Sequence, residues 1–337
     1  MSDPIVTVVV PTLHAGEPLC ACLDALGRQT FADFETVVVD NSGRGLARPV
    51  CEDRLHVTLI ENAANAGFGE AVNQGLRRSR APFLATLNDD AAADPGWLAA
   101  LVRAAESDPG AGMFASRVML AGTGLLDSAG MLVSADASSK QRGHGQPPEL
   151  FARLEETLFP SGSAALYRRS MLDEIGAFDP HFFLYCEDTD LGLRARWAGW
   201  TCLYVPGAVA EHLYSRSAGR ASPLKAYLVE RNRLFVLVKD YPLSLLLAAP
   251  LATLARYFWH AVWMLRGRGA AARFQEDGNA PASLLWYAVR AHCAALACLP
   301  RLWLQRRRIR RTARLSAAEF RRLVWRYFIG PREVAAL

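Results

Sequence analysis

The first 120 residues alternate between short apolar runs and amphipathic stretches. Ile5–Val10 is a continuous β-branched run that Pro11 ends; Phe34–Val39, His56–Ile60 and Pro82–Leu87 are three more. Between them, Leu19, Cys22, Leu23 and Leu26 form one face of a helix over residues 17–28. Gly67–Ser79 and Pro95–Glu106 also read as helices. Strands apolar on both faces, joined by crossover helices, predict a mainly parallel sheet buried on both sides. Ligands bind such sheets at the carboxyl ends of the strands, so the polar groups that matter should follow each strand.

Beyond residue 111 the pattern changes to short apolar runs with several glycines, and residues 135–150 read as a polar loop. Helical signals return at 170–176 and 187–199, followed by a strand at Thr201–Val205. From 223 onward the chain reads as helical. Leu243–Leu265 is very apolar, but Pro250, Arg256 and His260 interrupt it. Its longest uncharged run, Leu243–Ala255, is 13 residues, short of the roughly 20 that span a bilayer. A second apolar stretch, Ala282–Leu304, leads into Arg306-Arg307-Arg308 and Arg310-Arg311, with Trp259, Trp263, Trp286 and Trp303 among these segments.

Composition sharpens this division. The 337 residues are 51% hydrophobic and 21% charged, which excludes global disorder. The net charge of +5 is unevenly placed: residues 1–240 hold 22 Lys/Arg against 29 Asp/Glu, whereas residues 241–337 hold 16 against 4. An acidic body of net −7 with a basic tail of net +12 argues against nucleic acid and for a tail that meets an anionic membrane surface. Apolar helices carrying tryptophans and an arginine cluster are expected to lie on that surface rather than cross it. The seven cysteines show neither CxxC pairs nor zinc spacing. The N-terminus, Met1-Ser2-Asp3-Pro4, has no basic and apolar leader segment. A cytoplasmic protein, peripheral at the inner face of the cytoplasmic membrane, is the expectation. The domains expected are 1–240, in halves 1–110 and 111–240, and a helical region 241–337.

Four places after strands carry candidate chemistry. Asp40 can accept the ring N–H of uracil, thymine or guanine, although Asp-Asn-Ser-Gly is equally a plain turn. Asn65-Ala66-Gly67-Phe68-Gly69 runs into a helix carrying Asn73, and its glycines let backbone approach a ligand. Asn88-Asp89-Asp90 offers oxygen ligands that suit Mg²⁺ or Mn²⁺ bridging a diphosphate; the competing reading is an exposed acidic turn. Glu187, Asp188 and Asp190 occupy the first turn of a helix, where its dipole stabilises them, and Asp188 is a candidate general base. His212 is a further candidate metal or phosphate contact.

Taken in order, these segments resemble the family 2 inverting glycosyltransferases of GT-A fold. The resemblance covers roughly residues 4–240 and runs through Val8–Thr12, Val38–Ser42, Asn65–Gly69 with Asn73, Leu87–Asp90, Tyr167–Arg169, Ile175–Asp179 and Phe178–Trp200 with Glu211-His212. The last block is most similar to the rhamnosyltransferase-type branch, which builds bacterial cell-surface polysaccharides, often on lipid-linked acceptors. The resemblance implies an α/β GT-A fold with a Rossmann-like sheet, to which the tail read above adds a C-terminal helical, membrane-associating appendage. It implies an inverting transfer of sugar from a dTDP- or UDP-linked donor to a glycan or polyprenyl-linked acceptor. Pro11, Thr12, Asp40, Asn65, Gly67, Phe68, Asn73, Asn88 and Asp89 would hold the donor nucleotide, with Asp90 and His212 on a divalent Mg²⁺ or Mn²⁺. Asp188 would be the base, and Gly162, Ser163, Glu187 and Trp200 would lie near sugar or acceptor. Asn88 departs from the family's Asp-x-Asp pattern and leaves one fewer negative charge on the ion. That departure supports the competing reading, a catalytically impaired nucleotide-sugar-binding scaffold. A nucleotidyltransferase would need a basic Gly-rich phosphate loop, and Thr12-Leu13-His14-Ala15-Gly16 has no Lys or Arg.

Overall fold

The computed structural model describes residues 3–212 and 222–337. They form two compact units. The first holds the chain up to Met131, Gln141–Leu184 and the segment from Trp200; the second holds Leu132–Lys140, Tyr185–Gly199 and the C-terminal helices through Leu337. The units do not part at residue 240: the helix after Cys186 and the 132–140 segment group with the C-terminal helices.

The first unit opens with β1 (Val6–Thr12), α1 (Gly16–Gly27), β2 (Phe34–Asp40), the short α2 (Arg48–Cys51), β3 (Val57–Glu61), α3 (Phe68–Arg78) and β4 (Phe83–Leu87). β5 (Ala91–Ala93), α4 (Trp97–Ser107), β6 (Ala111–Leu120) and β7 (Leu126–Ser128) follow. β8 (Met131–Val133) and β9 (Ser139–Gln141) make a separate two-stranded ribbon. β10 (Glu155–Thr157), β11 (Ala164–Arg168) and α5 (Arg169–Ile175) precede α6 (Glu187–Trp197), and β12 (Thr201–His212) completes the sheet. The strand order is β10-β12-β6-β11-β4-β1-β2-β3, with β5 paired to β12 and β7 to β6.

β1 pairs in parallel with β2 and β4, and β2 with β3, as the apolar runs predict. The other half is mixed, because β11 lies antiparallel between β4 and β6. Val6, Val8 and Val10 face α1 and α4 in one core, with Leu19, Leu23, Trp97 and Leu101 buried against them. Val9 faces the opposite side, where α3 approaches so closely that a Cβ on Gly75 would collide with the Val9 methyls. β6 and β12 are longer than the sequence pattern predicts: glycine and alanine dilute the apolar run of β6, and β12 continues past Pro206-Gly207 through a register shift between Val205 and Val209.

The second unit is helical: α6, α7 (Pro223–Asp240), α8 (Leu243–Leu265), α9 (Gly269–Glu276), α10 (Ala282–Ala297), α11 (Leu299–Arg311), α12 (Ala317–Arg326) and α13 (Pro331–Ala336). α6 is buried along nearly its whole length, and Trp197 stacks on Phe320 at 4.0 Å between ring centroids. The expected polar loop at 135–150 is corrected here: Ser134 and Asp136–Ser138 are buried. Asp136 accepts from Arg256 at 2.7 Å, and Arg256 also donates to Glu230 at 2.8 Å. Arg233 joins through Glu230 and through a 2.7 Å bond to the Asp136 carbonyl. The Glu230-Arg231-Asn232-Arg233 segment thus builds an internal ionic network.

Residues 243–265 are likewise not interrupted at Pro250, Arg256 or His260. α8 is one 23-residue helix that continues through Pro250, about 35 Å long at 1.5 Å per residue, and it is long and apolar enough to cross a membrane. Its two faces are inverted relative to a soluble helix. Leu245, Ala249, Thr253 and Arg256 point inward, whereas Leu243, Leu247, Leu251, Leu254, Phe258 and Leu265 are exposed along the opposite stripe.

Candidate active site

The strand order reverses beside β1: β2 and β3 lie on one side and β4 on the other. Such a switch point opens a crevice at the strands' carboxyl ends. Thr12 ends β1 there, and Asn88-Asp89-Asp90 follow β4. Thr12 Oγ1 donates to Asp89 Oδ2 at 2.5 Å and accepts from the Ala15 amide at 3.0 Å. Burial, and then the Asp90 charge, push the Asp89 carboxyl up to about 6 against the stabilising Thr12 bond. Ser163 precedes β11, whose Ala164 pairs with Leu87, and its carbonyl accepts from the Asn88 amide at 2.9 Å; this brings Gly162 and Ser163 to the same edge.

His212 reaches this edge by strand register. β12 runs antiparallel to β5 with His212 opposite Ala91, next to Asp90. His212 Nε2 lies 3.2 Å from Asp90 Oδ1 and 3.2 Å from the Asn88 side-chain nitrogen. Its Nδ1 donates to Asp127 Oδ2 at 3.1 Å. Burial works against the imidazolium, but the hydrogen bond to Asp127 and the nearby Asp90 carboxylate outweigh it and raise His212 to about 9. Asp127 is a site residue that no sequence signal picks out. It sits in β7 within Leu126-Asp127-Ser128, 85 positions from His212, with no motif around it. It also accepts from His144 Nδ1 at 3.1 Å.

The expected nucleotide-binding residues are largely occupied by their own loops. Asp40 is 1% exposed; its oxygens accept from the Ser42 amide at 2.7 Å and the Ala47 amide at 2.9 Å, as a turn residue's would. Asn73 exchanges two hydrogen bonds with the Phe178 backbone, 2.8 and 3.1 Å, so its amide ties α3 to that segment. The amides expected to be open to a ligand are engaged: Gly67 donates to Asn65 Oδ1 at 2.9 Å and Phe68 to the Phe183 carbonyl at 2.8 Å. Gly67 is required here, with φ of 85° and the Phe183 carbonyl oxygen standing where a Cβ would need to be. Asn41, buried beside Asp40, was not singled out from sequence; it donates to the Gly67 carbonyl at 3.3 Å and accepts from Asn62 at 2.8 Å, holding the 65–67 loop to the end of β2. Pro11 occupies the penultimate position of β1, beside the Thr12–Asp89 contact.

One expectation is corrected outright. Trp200 does not lie near this edge. Thr201 pairs with Ala111 at the start of β6 and His212 with Leu120 at its end, so Trp200 sits at the opposite end of β12, where it donates to Glu174 at 2.9 Å.

The family model for glycosyltransferase like family 2 matches residues 3–235. The chain belongs to that family. This glycosyltransferase is 30% identical over 253 residues, 67% of its length and 82% of the relative's, to an N-acetylglucosaminyl-diphospho-decaprenol L-rhamnosyltransferase of Mycobacterium tuberculosis. It is 26% identical over 237 residues, 66% of its length and 81% of the relative's, to an uncharacterized glycosyltransferase, YwdF, of Bacillus subtilis. Among solved structures it is similar to a mannosyltransferase from Pyrobaculum calidifontis in complex with GDP-Man and Mn²⁺: TM-score 0.54, 20% identity, 92% of this chain and 86% of that one. It also resembles GalNAc-T7 with UDP, GalNAc and Mn²⁺: TM-score 0.56, 15% identity, 70% and 48%. These likenesses establish the GT-A fold.

Two side chains at this edge could contribute to holding a divalent ion. Among the described residues there is no group of three His, Cys, Asp or Glu side chains that could hold a metal. There is a pair: Asp90 Oδ1 is buried without a hydrogen-bond partner of good geometry, 3.2 Å from His212 Nε2. Asp127 on Nδ1 leaves Nε2 as the nitrogen facing Asp90, the orientation that second-shell carboxylates impose on ligating imidazoles, and an ion held there would displace the Nε2 proton. One carboxylate and one imidazole, completed by diphosphate oxygens and water, suit an ion of the Mg²⁺ or Mn²⁺ type.

In the second unit, α6 begins after a strained stretch. Phe183 has φ 66° and ψ −63°, with the Leu184 amide bonded to the Phe182 carbonyl at 2.8 Å, a γ-turn of the rare hand. Tyr185 and Cys186 also have positive φ, 71° and 63°. Strain of this kind persists where surrounding structure enforces it and clusters at functional sites. Asp188 Oδ1 accepts from the Thr189 amide at 2.7 Å, and the Thr189 hydroxyl bonds Ser139 at 2.8 Å. Glu187 is buried with Oε2 unpartnered among the described residues. Burial, and then the Asp188 charge, raise it from 4.5 to about 8.

That shift predicts a pH dependence of stability. A carboxyl whose folded pKa is raised binds its proton more tightly when folded. Its contribution is fully present below about 4.5 and is lost as pH rises through about 8. Thermal unfolding temperature should therefore fall less over this window in Glu187→Gln than in the wild type. Parallel profiles for the two proteins would show that Glu187 is not the titrating group.

Proposed function

We propose that this glycosyltransferase moves a hexosyl or rhamnosyl group from a dTDP- or UDP-linked donor to a lipid-linked N-acetylglucosamine-containing acceptor, with inversion, in cell-surface polysaccharide synthesis. The observation that carries the reading is the Asp89, Asp90 and His212 group at the carboxyl ends of β1 and β4, in a chain related to a rhamnosyltransferase along most of both lengths. Thr12 and the Asn65–Phe68 loop hold the nucleoside, and Asp40 fixes the turn after β2 through the Ser42 and Ala47 amides. Asp90 and His212 hold a divalent ion, which when bound offsets the diphosphate charge. Asp127 keeps the His212 ring oriented, and Gly162, Ser163 and Glu187 stand toward sugar or acceptor. Asp188 takes the proton from the acceptor hydroxyl as that oxygen attacks the anomeric carbon on the face opposite the diphosphate. The carbon–oxygen bond to the diphosphate breaks as the new glycosidic bond forms, so one displacement inverts the configuration.

The enzyme acts peripherally on the inner face of the cytoplasmic membrane, where a polyprenyl-linked acceptor would be found. The inverted α8 supports this: its exposed leucine stripe suits burial to the acyl boundary, while its other face packs within its own unit.

The test is a thermal-shift panel of UDP, dTDP, GDP and ADP, each with and without Mn²⁺ or Mg²⁺, because a ligand of the native state raises its stability by mass action. Stabilisation by dTDP or UDP that requires the metal, and is lost in Asp90→Ala, is expected. Equal stabilisation of Asp90→Ala removes that residue as a ligand. No stabilisation of the folded wild type by any nucleotide would favour the impaired-scaffold reading.

A further inference from the structure

α11 carries a charge pattern that folding alone does not explain. An open surface groove of about 420 Å³ is lined by Trp303, Arg306, Arg307, Arg310 and Arg311. The spacing i, i+3, i+4, i+7, i+8 places all five on one helix face. Guanidinium groups on neighbouring turns repel one another, so a cluster of four requires an offset.

Part of the offset is internal. Arg306 donates to the Tyr241 carbonyl at 2.6 Å and the Val238 carbonyl at 2.9 Å, and Arg310 to the Asp240 carbonyl at 2.8 Å; these cap the end of α7. That explains two arginines and not the other two. Among the described residues neither Arg307 nor Arg311 has a hydrogen-bond or ion-pair partner, and Arg310 Nη1 is buried with no acceptor. Among the described residues no carboxylate pairs with Arg307 or Arg311. Their fork geometry suits phosphate oxygens.

The rim identifies the source of the phosphate. Trp303 forms part of the wall, 5.5 Å from the Arg306 guanidinium, and is partly exposed; Leu299 and Leu304 of the same helix are exposed as well. A site for a soluble anion has no use for an apolar rim, whereas tryptophan beside arginine is the composition of a membrane interface. We propose that the α11 groove is a binding site for the phosphodiester headgroup of an acidic phospholipid. The phosphate sits between Arg307 and Arg311, and Trp303 with the flanking leucines enters the interfacial layer. This rests on the peripheral-membrane reading and adds to it a defined headgroup site.

The experiment is flotation of the full-length protein with phosphatidylcholine vesicles and with the same vesicles containing phosphatidylglycerol. Wild type is compared with Arg307→Gln/Arg311→Gln, two partnerless arginines whose loss leaves the internal bonds intact, and with Arg78→Gln/Arg80→Gln, a charge-matched control in the other unit. Each basic residue near an acidic surface changes binding by about fivefold. The α11 variant should thus lose roughly 25-fold of the phosphatidylglycerol-dependent affinity, keep its binding to neutral vesicles and keep its unfolding temperature. The control should bind as wild type. Equal losses in both variants would mean diffuse charge attraction and overturn the groove site. Binding to neutral vesicles with no gain from phosphatidylglycerol would overturn the headgroup site while leaving the membrane reading standing; no binding to either vesicle would overturn both. Stabilisation of wild type, and not of the α11 variant, by inorganic phosphate without any vesicle dependence would make the groove a soluble-anion site instead.

Discussion

Asp188→Asn is expected to lower sugar transfer by about 10²–10⁴-fold, the range that a positioned general base contributes. Nucleotide binding, read by thermal shift, should be unchanged. The substitution keeps the shape and the acceptor oxygen that holds the Thr189 amide at 2.7 Å, so α6 should start as before. What it removes is the basicity needed to accept the hydroxyl proton. Turnover within a few fold of wild type would remove Asp188 from the base role. Simultaneous loss of nucleotide stabilisation would mean that the substitution disturbs the fold instead. Glu187 does not readily substitute, because burial beside Asp188 keeps it protonated up to about 8.

Arg256→Met is expected to destabilise the second unit by about 3–5 kcal/mol, measured by denaturant unfolding followed through the tryptophans, because removing one member of a buried ionic network leaves uncompensated charge. Arg256 is the shared partner of Asp136 and Glu230, at 2.7 and 2.8 Å, and Glu230 also accepts from Tyr257 at 2.6 Å. In Arg256→Met only Arg233 would remain to balance two buried carboxylates. A simultaneous apolar replacement of Asp136, Glu230, Arg233 and Arg256 should cost less than the single change, since desolvation offsets much of a buried pair's attraction. A loss below about 1 kcal/mol in the single variant would show that water reaches the network.

The two regions differed in how far they could be read from sequence. In the first, every strand from β1 to β4 follows an apolar run: β1, β2 and β4 are buried on both faces, which demands apolar side chains at consecutive positions, while the edge strand β3 is half-buried. The acidic turn after β4 stood out for a related reason: adjacent carboxylates directly after a buried strand repel one another and sit where a parallel sheet places its ligands. β6 and β11 were less legible, since their glycine and alanine content lowers the apolar contrast. In the C-terminal region, hydropathy misled on α8. Pro250, Arg256 and His260 look like interruptions along the chain, yet Arg256 points inward to two carboxylates and the leucines point outward.

Local periodicity and short motifs in order were enough for the α/β class, the family and the edge of the sheet where chemistry belongs, because each depends on residues close together in the chain. Which groups meet at that edge was settled only by folding. Asp127 reaches His212 only because β7, β6 and β12 lie side by side, and Asp90 reaches it through the β5–β12 register. Folding also moved Trp200 away by the length of a strand and turned Asp40 and Asn73 toward their own loops. Register and facing are properties of pairs distant in sequence, and a one-residue slip would exchange every side chain between faces; no single stretch of chain encodes them.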